Sequence, residues 1–351
     1  MNIEHYGWND HFAREWQEKS THGMLPARVI ADYGQKLRLM SGAGELLVDR
    51  PRGKFIQEMQ VAVGDWVALE TIDELQAYRI SSVLPRKTKF SRAAAGIEVK
   101  EQIIAANVDI VFLVQSLNND FNMRRLERYL IAAWESGAQP VVILTKSDCC
   151  NDVNGKMEIV YSTAPGVNVH AISCVTDEGI EEIHRYLVPG KTVALLGSSG
   201  VGKSTLVNKL LRVDVVKTQE IREDDSKGRH TTTHRELFLL PTGGLILDNP
   251  GMRELSLWEA DQGINMMFGD IEDLVKSCRF RDCGHGNEPG CAIREALEMG
   301  NLEPQRWESW LKLQKELAHL DAKKDHKLRL KEKQRGKQIA KFQKNYYKER
   351  Q

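Results

Sequence analysis

A chain of 351 residues exceeds one typical domain, so two or three are expected. At 41% hydrophobic and 28% charged residues the composition is ordinary for a soluble protein, and no apolar run approaches the ~20 residues that would span a membrane. Lys+Arg and Asp+Glu balance at 49 each, so net charge excludes nothing, yet residues 312–351 carry 14 Lys/Arg against 5 Asp/Glu, leaving a tail of +9 on a remainder of −9. That asymmetry points to a polyanionic partner for the tail, with a solvated basic helix as the plainer alternative.

The start, Met1 to Trp8, has neither a basic segment nor an apolar run, so no secretory leader is expected. Six cysteines in such a chain imply reduced thiols and a cytoplasmic location. Three of them cluster beside a histidine near the C-terminus, which reads as a metal site rather than disulfides.

In chain order, residues 1–25 form an arm whose Tyr6, Trp8, Phe12 and Trp16 are expected to pin it against the next domain. Residues 26–86 read as all-β. Segments 27–33, 36–40, 45–49, 65–69 and 77–81 alternate or are rich in β-formers, punctuated by Gly34, Gly42, Gly44, Gly53 and Gly64. Five short strands in so few residues predict a small closed barrel, most simply an OB-fold, bounded at 26–92. Arg50, Arg52 and Lys54 are candidates for RNA contact on its open face, or they are surface charges of a structural barrel.

A basic connector, 85–92, precedes alternating strand and helix patterns over 100–265. Runs at 108–114, 140–144, 167–172 and 192–196 are apolar throughout, while 123–135 has Leu126, Tyr129, Leu130 and Ala133 at helical spacing. Continuous apolar strands between helices predict a parallel α/β sheet.

Thr145, Lys146, Ser147 and Asp148 follow the strand at 140–144 and resemble the N-K-x-D loop of GTPases, with Thr145 departing from the usual Asn. There a carboxylate accepts from guanine N1–H and N2–H₂, donors that adenine does not offer in that arrangement; a buried Asp148 would reject adenine through its unpaired charge. Ser173 and Cys174, after the next strand, resemble the loop that supports guanine O6.

Gly197, Ser198, Ser199, Gly200, Val201, Gly202, Lys203 and Ser204 read G-x-x-x-x-G-K-S between a strand-like and a helix-like run, the context a P-loop requires. Its backbone amides cradle phosphates, Lys203 reaches the β- and γ-phosphates as a catalytic charge, and Ser204 holds Mg²⁺, with Thr205 completing the nucleotide set. Asp248 to Gly251 resembles D-x-x-G, giving Asp248 to Mg²⁺ and the Gly251 amide to the γ-phosphate. Between them, 220–233 is polar and ends in Thr231, Thr232 and Thr233; one of these is expected to close over Mg²⁺, and Thr232 is favoured. Met252 stands where Ras-like proteins orient water with Gln, so slow intrinsic hydrolysis and partner stimulation are expected. His230 is either the water-positioning catalytic group or an exposed loop histidine.

The guanine loops at 145 and 173 precede the P-loop at 197, so the set is circularly permuted, and the chain leaves the D-x-x-G segment toward its C-terminal region. There Cys278, Cys283, His285 and Cys291 form a Cys₃His set suited to one tetrahedral Zn²⁺ with no open position, hence structural. A helix is expected from Glu303 and Pro304, with Trp307, Trp310, Leu311, Leu313, Leu317 and Leu320 as its apolar stripe, followed by the basic run from Lys323 with Phe342, Tyr346 and Tyr347 interleaved.

On these motifs the chain resembles the circularly permuted GTPases of small ribosomal subunit biogenesis, the RsgA (YjeQ) family, over nearly its whole length. The expected architecture is multidomain: the arm at 1–25, the OB-fold β-barrel at 26–92, a permuted α/β P-loop GTPase domain at 100–265 and a zinc-binding α-helical domain at 266–351. The resemblance implies a GTP-hydrolysing factor that docks on the 30S subunit and 16S rRNA late in assembly, is stimulated by the subunit and leaves on hydrolysis. It also supports His230 as the catalytic group. A monomer with GTP or GDP as ligand and no membrane partner is expected. The alternatives are an RNA-binding protein that keeps GTP as a structural ligand, and a P-loop ATPase or kinase.

Overall fold

The computed structural model describes residues 2–19, 23–51, 59–72, 77–93, 101–118, 120–213, 235–248, 260–319 and 321–322. The chain divides into two compact units, one of Met1–Arg92, Ile103–Ser256 and Asp261–Met267, the other of Ala93–Gln102, Leu257–Ala260 and Phe268–Gln351.

The first unit is organised by one sheet of eleven strands. All five strands expected near the N-terminus form: β1 (Leu25–Asp32), β2 (Lys36–Ser41), β3 (Gly44–Asp49), β4 (Trp66–Ile72) and β5 (Ala77–Val83). They pair antiparallel in the order β3-β2-β1-β4-β5, and β3 and β5 approach each other at the ends of that order. Register shifts in β1 at Val29/Ala31 and between Ala68 and Leu69 of β4 mark irregularities of the kind that bend strands.

The arm is helical, α1 (Asp10–Lys19), and its aromatics close on the fully buried Trp66: Trp8 at 4.7 Å and Phe12 at 5.8 Å between ring centroids. Arg28 is buried beneath them and donates to the carbonyls of Tyr6, Gly64 and Asn107. Burial pulls its guanidinium down to about 10, while Asp109 and Asp65 oppose the shift. Arg50 pairs with Asp32 at 2.6 Å and donates to the carbonyls of Gly34 and Val61. Arg52 and Lys54 lie outside the described residues.

Strands β6 (Lys89–Ala93) and β7 (Glu101–Ala106) make a separate two-stranded sheet. The large sheet continues through β8 (Ile110–Ser116), β9 (Gln139–Thr145), β10 (Asn168–Ala171), β11 (Thr192–Leu196), β12 (Arg235–Leu239) and β13 (Leu245–Asp248). Its order is β10-β9-β8-β11-β13-β12, parallel except for β12. Strand β12 also pairs with β1, Ala31 opposite Glu236, and Arg38 of β2 forms an ion pair with Glu236, so the two sets of strands share one hydrogen-bonded sheet.

Beyond α1, the helices of this unit among the described residues include α2 (Met123–Ser136), α3 (Val153–Thr163), α4 (Ile180–His184) and α5 (Lys203–Leu211). All seven residues of β8 are buried, which explains its uninterrupted apolar sequence. Phe112, Val114, Ile143 and Leu195 pack with Ile183, Leu206 and Leu210 in one core, each such burial stabilising by about 1.5–3 kcal/mol. Because β8, β9, β10, β11 and β13 run parallel, the loops that follow them all leave from one edge. That edge holds every nucleotide motif predicted from the sequence and described in the structure.

Helix α6 (Asp261–Lys276) passes from the first unit into the second, with non-helical backbone at Phe268. The second unit continues with α7 (Ala292–Glu298) and a helix over 304–319. Arg306 pairs with Asp270 at 2.8 Å and lies over the Phe268 ring at 5.1 Å. Of the predicted stripe, Leu313 is buried and Trp307, Trp310, Leu311 and Leu317 are half-buried; Leu320 lies outside the described residues.

Candidate nucleotide site and metal cluster

The P-loop spans the gap from β11 to α5. Its first glycine is demanded by packing: a Cβ on Gly197 would meet the Val114 carbonyl oxygen of β8 at 2.4 Å. Ser199, Gly200 and Thr205 are exposed, Ser204 is half-buried, and Val201 is buried beneath them. Lys203 is buried at the start of α5 and donates from Nζ to the Gly197 carbonyl at 2.7 Å and to the Ser198 carbonyl. An ammonium held inside the loop stands where phosphate charge would be neutralised.

The guanine loop is tied to this cradle. Thr145, buried at the end of β9, donates from Oγ1 to the Val201 carbonyl at 2.6 Å and lies 3.2 Å from the Gln115 carbonyl. Lys146, in the left-handed region at φ 60°, donates from Nζ to the Gly200 carbonyl at 2.9 Å. Ser147 is buried, and its amide donates to the Ile172 carbonyl at 3.1 Å, which stitches this loop to the next.

Asp148 is exposed, presented at the open edge of the sheet by the 3-10 turn over Ser147–Cys149. Its carboxyl is held below the ordinary carboxylate value, first by a hydrogen bond from Ser173 and next by the Cys149 thiol, 3.2 Å away. Ser173 is fully buried, and its Oγ also accepts from the amides of Val175 and Thr176 at 3.2 and 3.1 Å. Cys174 beside it is half-buried, and burial raises its thiol. The structure therefore gathers Thr145, Lys146, Ser147, Asp148, Ser173 and Cys174 with residues 197–205 at one sheet edge, joined by direct bonds between loops.

Asp248 ends β13 at the same edge. His230, Thr231, Thr232, Thr233, Gly251 and Met252 lie outside the described residues. One neighbour of the site escaped the sequence reading altogether: Asp120, whose Oδ2 accepts from the Ser198 hydroxyl at 2.6 Å across 78 positions of sequence. No spacing rule links two residues so far apart.

In the second unit Cys278, Cys283, His285 and Cys291 place one ligand atom each within 4.8 Å of the others, so the cluster could hold a metal ion. His285 Nδ1 lies 3.6 Å from Cys278 Sγ and 3.7 Å from Cys291 Sγ. A tetrahedral ion with bonds of about 2.3 Å to sulfur and about 2.0 Å to nitrogen has an S···N edge of about 3.5 Å, so the donor spacing fits zinc. Burial raises the Cys278 thiol, but hydrogen bonds from the amides of Ala292 and Ile293 and from the Cys283 and Cys291 side chains together outweigh it and the net shift is downward, toward the thiolate that binds metal. Trp307 packs edge-on against His285 at 5.4 Å and stacks on Trp310 at 5.0 Å, orienting the imidazole.

A family model described as RsgA GTPase matches residues 83–258, from β5 through the P-loop and beyond β13. The chain belongs to the RsgA GTPase family. It is 48% identical over 328 residues to "Small ribosomal subunit biogenesis GTPase RsgA 1" of Oceanobacillus iheyensis, covering 91% of this chain and 93% of that one. It is 43% identical to "Small ribosomal subunit biogenesis GTPase RsgA 2" of Listeria monocytogenes, covering 100% and 99% of the two chains. Among solved structures, YjeQ from Thermotoga maritima superposes with a TM-score of 0.61 at 28% identity, over 84% of this chain and 99% of that one. A structure titled "The crystal structure of YloQ, a circularly permuted GTPase" superposes with a TM-score of 0.56 over 88% and 98%; at 23% identity that likeness speaks to the fold alone. As a member of the RsgA family the chain is a GTP-hydrolysing enzyme with a circularly permuted α/β core.

Proposed function

We propose that this RsgA-family GTPase binds the 30S ribosomal subunit late in its assembly, that the subunit stimulates hydrolysis, and that hydrolysis drives release. The observation that carries the reading is the bonding of the guanine loop to the P-loop through Thr145 and Lys146, which makes base recognition and phosphate binding parts of one rigid edge. The relatives named for small ribosomal subunit biogenesis match over nearly the full chain, which supports the subunit as partner.

Within this reading the P-loop amides from Gly197 to Gly202 and the Lys203 ammonium hold the phosphates, and Thr205 borders them. Asp148 accepts from guanine, Lys146 covers the base, and the 173–174 backbone supports O6. Ser204, Asp248 and Thr232 would hold Mg²⁺, which would supply positive charge against the charge that develops on the transferred phosphoryl group. The Gly251 amide meets the γ-phosphate. His230 orients the attacking water, because Met252 offers no hydrogen bond where Ras-like proteins place Gln. Cys278, Cys283, His285 and Cys291 would hold one structural zinc.

The module at 26–92 is read as an OB-fold barrel that contacts 16S rRNA, and the basic tail after Lys323 adds phosphate contacts. Its antiparallel order β3-β2-β1-β4-β5, with β3 near β5, supports a closed barrel. The remaining divisions are the arm at 1–25, the GTPase domain at 100–265 and the zinc-binding domain at 266–351. The protein acts as a cytoplasmic monomer. Among the described residues no helix is long and apolar enough to cross a membrane.

Turnover of GTP and ATP, each with and without purified 30S subunits, tests the proposal. GTP-selective hydrolysis accelerated by the subunit is expected. Equal use of ATP, or no acceleration, overturns it.

A further inference from the structure

The carboxylate that meets the P-loop from outside the nucleotide motifs is held from two sides. Asp120 lies in the connection from β8 to α2 and accepts from the Ser198 hydroxyl at 2.6 Å. Ser198 is the residue that follows the first glycine of the phosphate cradle, so its placement sets the peptide planes that come next. Arg125, in the first turn of α2, donates to Asp120 Oδ1 at 3.1 Å, lies 2.9 Å from Oδ2, and also donates to the Asp120 carbonyl.

The backbone that carries that guanidinium is itself fixed. The α2 N-cap, Asn122, accepts from the Arg125 amide at 3.1 Å. Asn122 exchanges two backbone bonds with the side chain of Gln115, which is fully buried in β8: Nε2 to the Asn122 carbonyl at 3.0 Å, and the Asn122 amide to Oε1 at 2.9 Å. Asn118 accepts from the Ser116 hydroxyl at 2.7 Å and the Asp120 amide at 3.2 Å. A chain of bonds thus runs from a central strand to the P-loop hydroxyl. The same strand fixes Gly197 through the close Val114 carbonyl.

A lone carboxylate beside a phosphate cradle would repel its ligand. Paired with Arg125, Asp120 is a strong acceptor of little net charge. We propose that Asp120 is a positioning residue of the P-loop: by holding Ser198 it presets the backbone amides of residues 199–202 before nucleotide arrives. The inference rests on reading residues 197–204 as the nucleotide cradle. Asp120 acts through Ser198, so its loss weakens binding of GTP and GDP alike and leaves base choice to Asp148.

Nucleotide titration and steady-state kinetics on the full chain test this with Asp120→Ala, Asp120→Asn, Ser198→Ala and the double variant D120A/S198A. Asp120→Ala and Ser198→Ala should each weaken GTP and GDP about tenfold, the equivalent of about 1.4 kcal/mol. Asp120→Asn keeps an acceptor oxygen and should stay within about twofold. The double variant should bind no more weakly than the poorer single one. For Asp120→Ala, KM should rise and kcat at saturating GTP should hold. Parental affinity in Asp120→Ala, an Asn variant as weak as the Ala variant, additive losses, or a fall in kcat alone would each overturn the proposal. Ser198→Ala removes only a hydroxyl and serves if Asp120→Ala fails to fold. Failure of the parent chain to bind GTP would instead overturn the reading of the cradle.

Discussion

Thr145 Oγ1 donates to the Val201 carbonyl at 2.6 Å, so the residue that opens the guanine loop is bonded to the centre of the P-loop. Both residues are buried. In Thr145→Val the shape is kept and the donor lost, leaving a buried carbonyl without this partner at a cost of about 1–3 kcal/mol. GTP and GDP affinity should fall about tenfold or more, with Thr145→Ser near the parent. Calorimetric or fluorescence titration of both nucleotides measures it; an unchanged Thr145→Val would mean the two loops are held together by other bonds.

The same edge has a predictable acid limit. If Asp148 accepts from guanine as proposed, it must be ionised, and the Ser173 hydroxyl, then the Cys149 thiol, keep its pKa below the ordinary carboxylate value. A depressed carboxylate contributes above its unfolded value and loses that contribution as pH falls through its folded value. GTP affinity should therefore show no Asp148 titration from pH 8 down to about pH 5. In Ser173→Ala the acid limb should move to higher pH, because the largest lowering contact is gone. Titrating GTP at a series of pH values in both proteins decides the matter, and coincident acid limbs would remove Ser173 from this role.

Legibility in the sequence followed locality. Strand β11 was predicted end to end over Thr192–Leu196, since a short apolar run between a turn and a P-loop has one reading. All five N-terminal strands were visible through alternation and glycine punctuation. Strand β12 was not, because Arg235–Leu239 is short, begins with two charged residues, and is specified by partners 203 and 205 positions upstream in β1 and close by in β13. Helix α1 went unread although Trp8, Phe12 and Trp16 stand four apart, a helical spacing. In the site, each motif residue could be named, but the bonds between loops could not: Lys146 to Gly200, Thr145 to Val201 and Asp120 to Ser198 join segments that only the sheet brings together.

Gly64 shows how closely the N-terminal strands are fitted to the strands beyond. It lies at φ 95°, and a Cβ there would meet the Ala106 carbonyl oxygen at 2.0 Å. Its own carbonyl accepts from Arg28 and Asn107, so the backbone cannot shift without breaking buried bonds. Gly64→Ala combines an unfavourable dihedral with a backbone clash and should destabilise by about 3 kcal/mol or more. A fall in the thermal midpoint with GTP affinity retained at low temperature is expected; a midpoint within a degree or two of the parent would contradict the geometry.

Cys291 does two jobs that substitution separates. Its sulfur is one of the four donors of the Cys₃His cluster, and it also caps α7, accepting from the Arg294 amide at 3.5 Å. Serine is a good N-cap but a poor ligand for a thiolate site, whereas alanine is neither. With the cluster holding zinc as proposed, both Cys291→Ser and Cys291→Ala should release it to a chelator at concentrations that leave the parent loaded. With metal stripped from all three proteins, only the alanine variant should lose the cap, at about 1 kcal/mol. Metal-free Cys283 adds a pH signature: the His285 amide lowers its thiol, burial and the neighbouring Cys291 and Cys278 sulfurs raise it, and the outcome is a value pushed up to about 11. Zinc must displace that proton, so zinc uptake should release protons at neutral pH and apparent affinity should rise as pH rises from 6.5 to 8. Chelator competition across that range measures it, and an affinity independent of pH would exclude thiol coordination by Cys283.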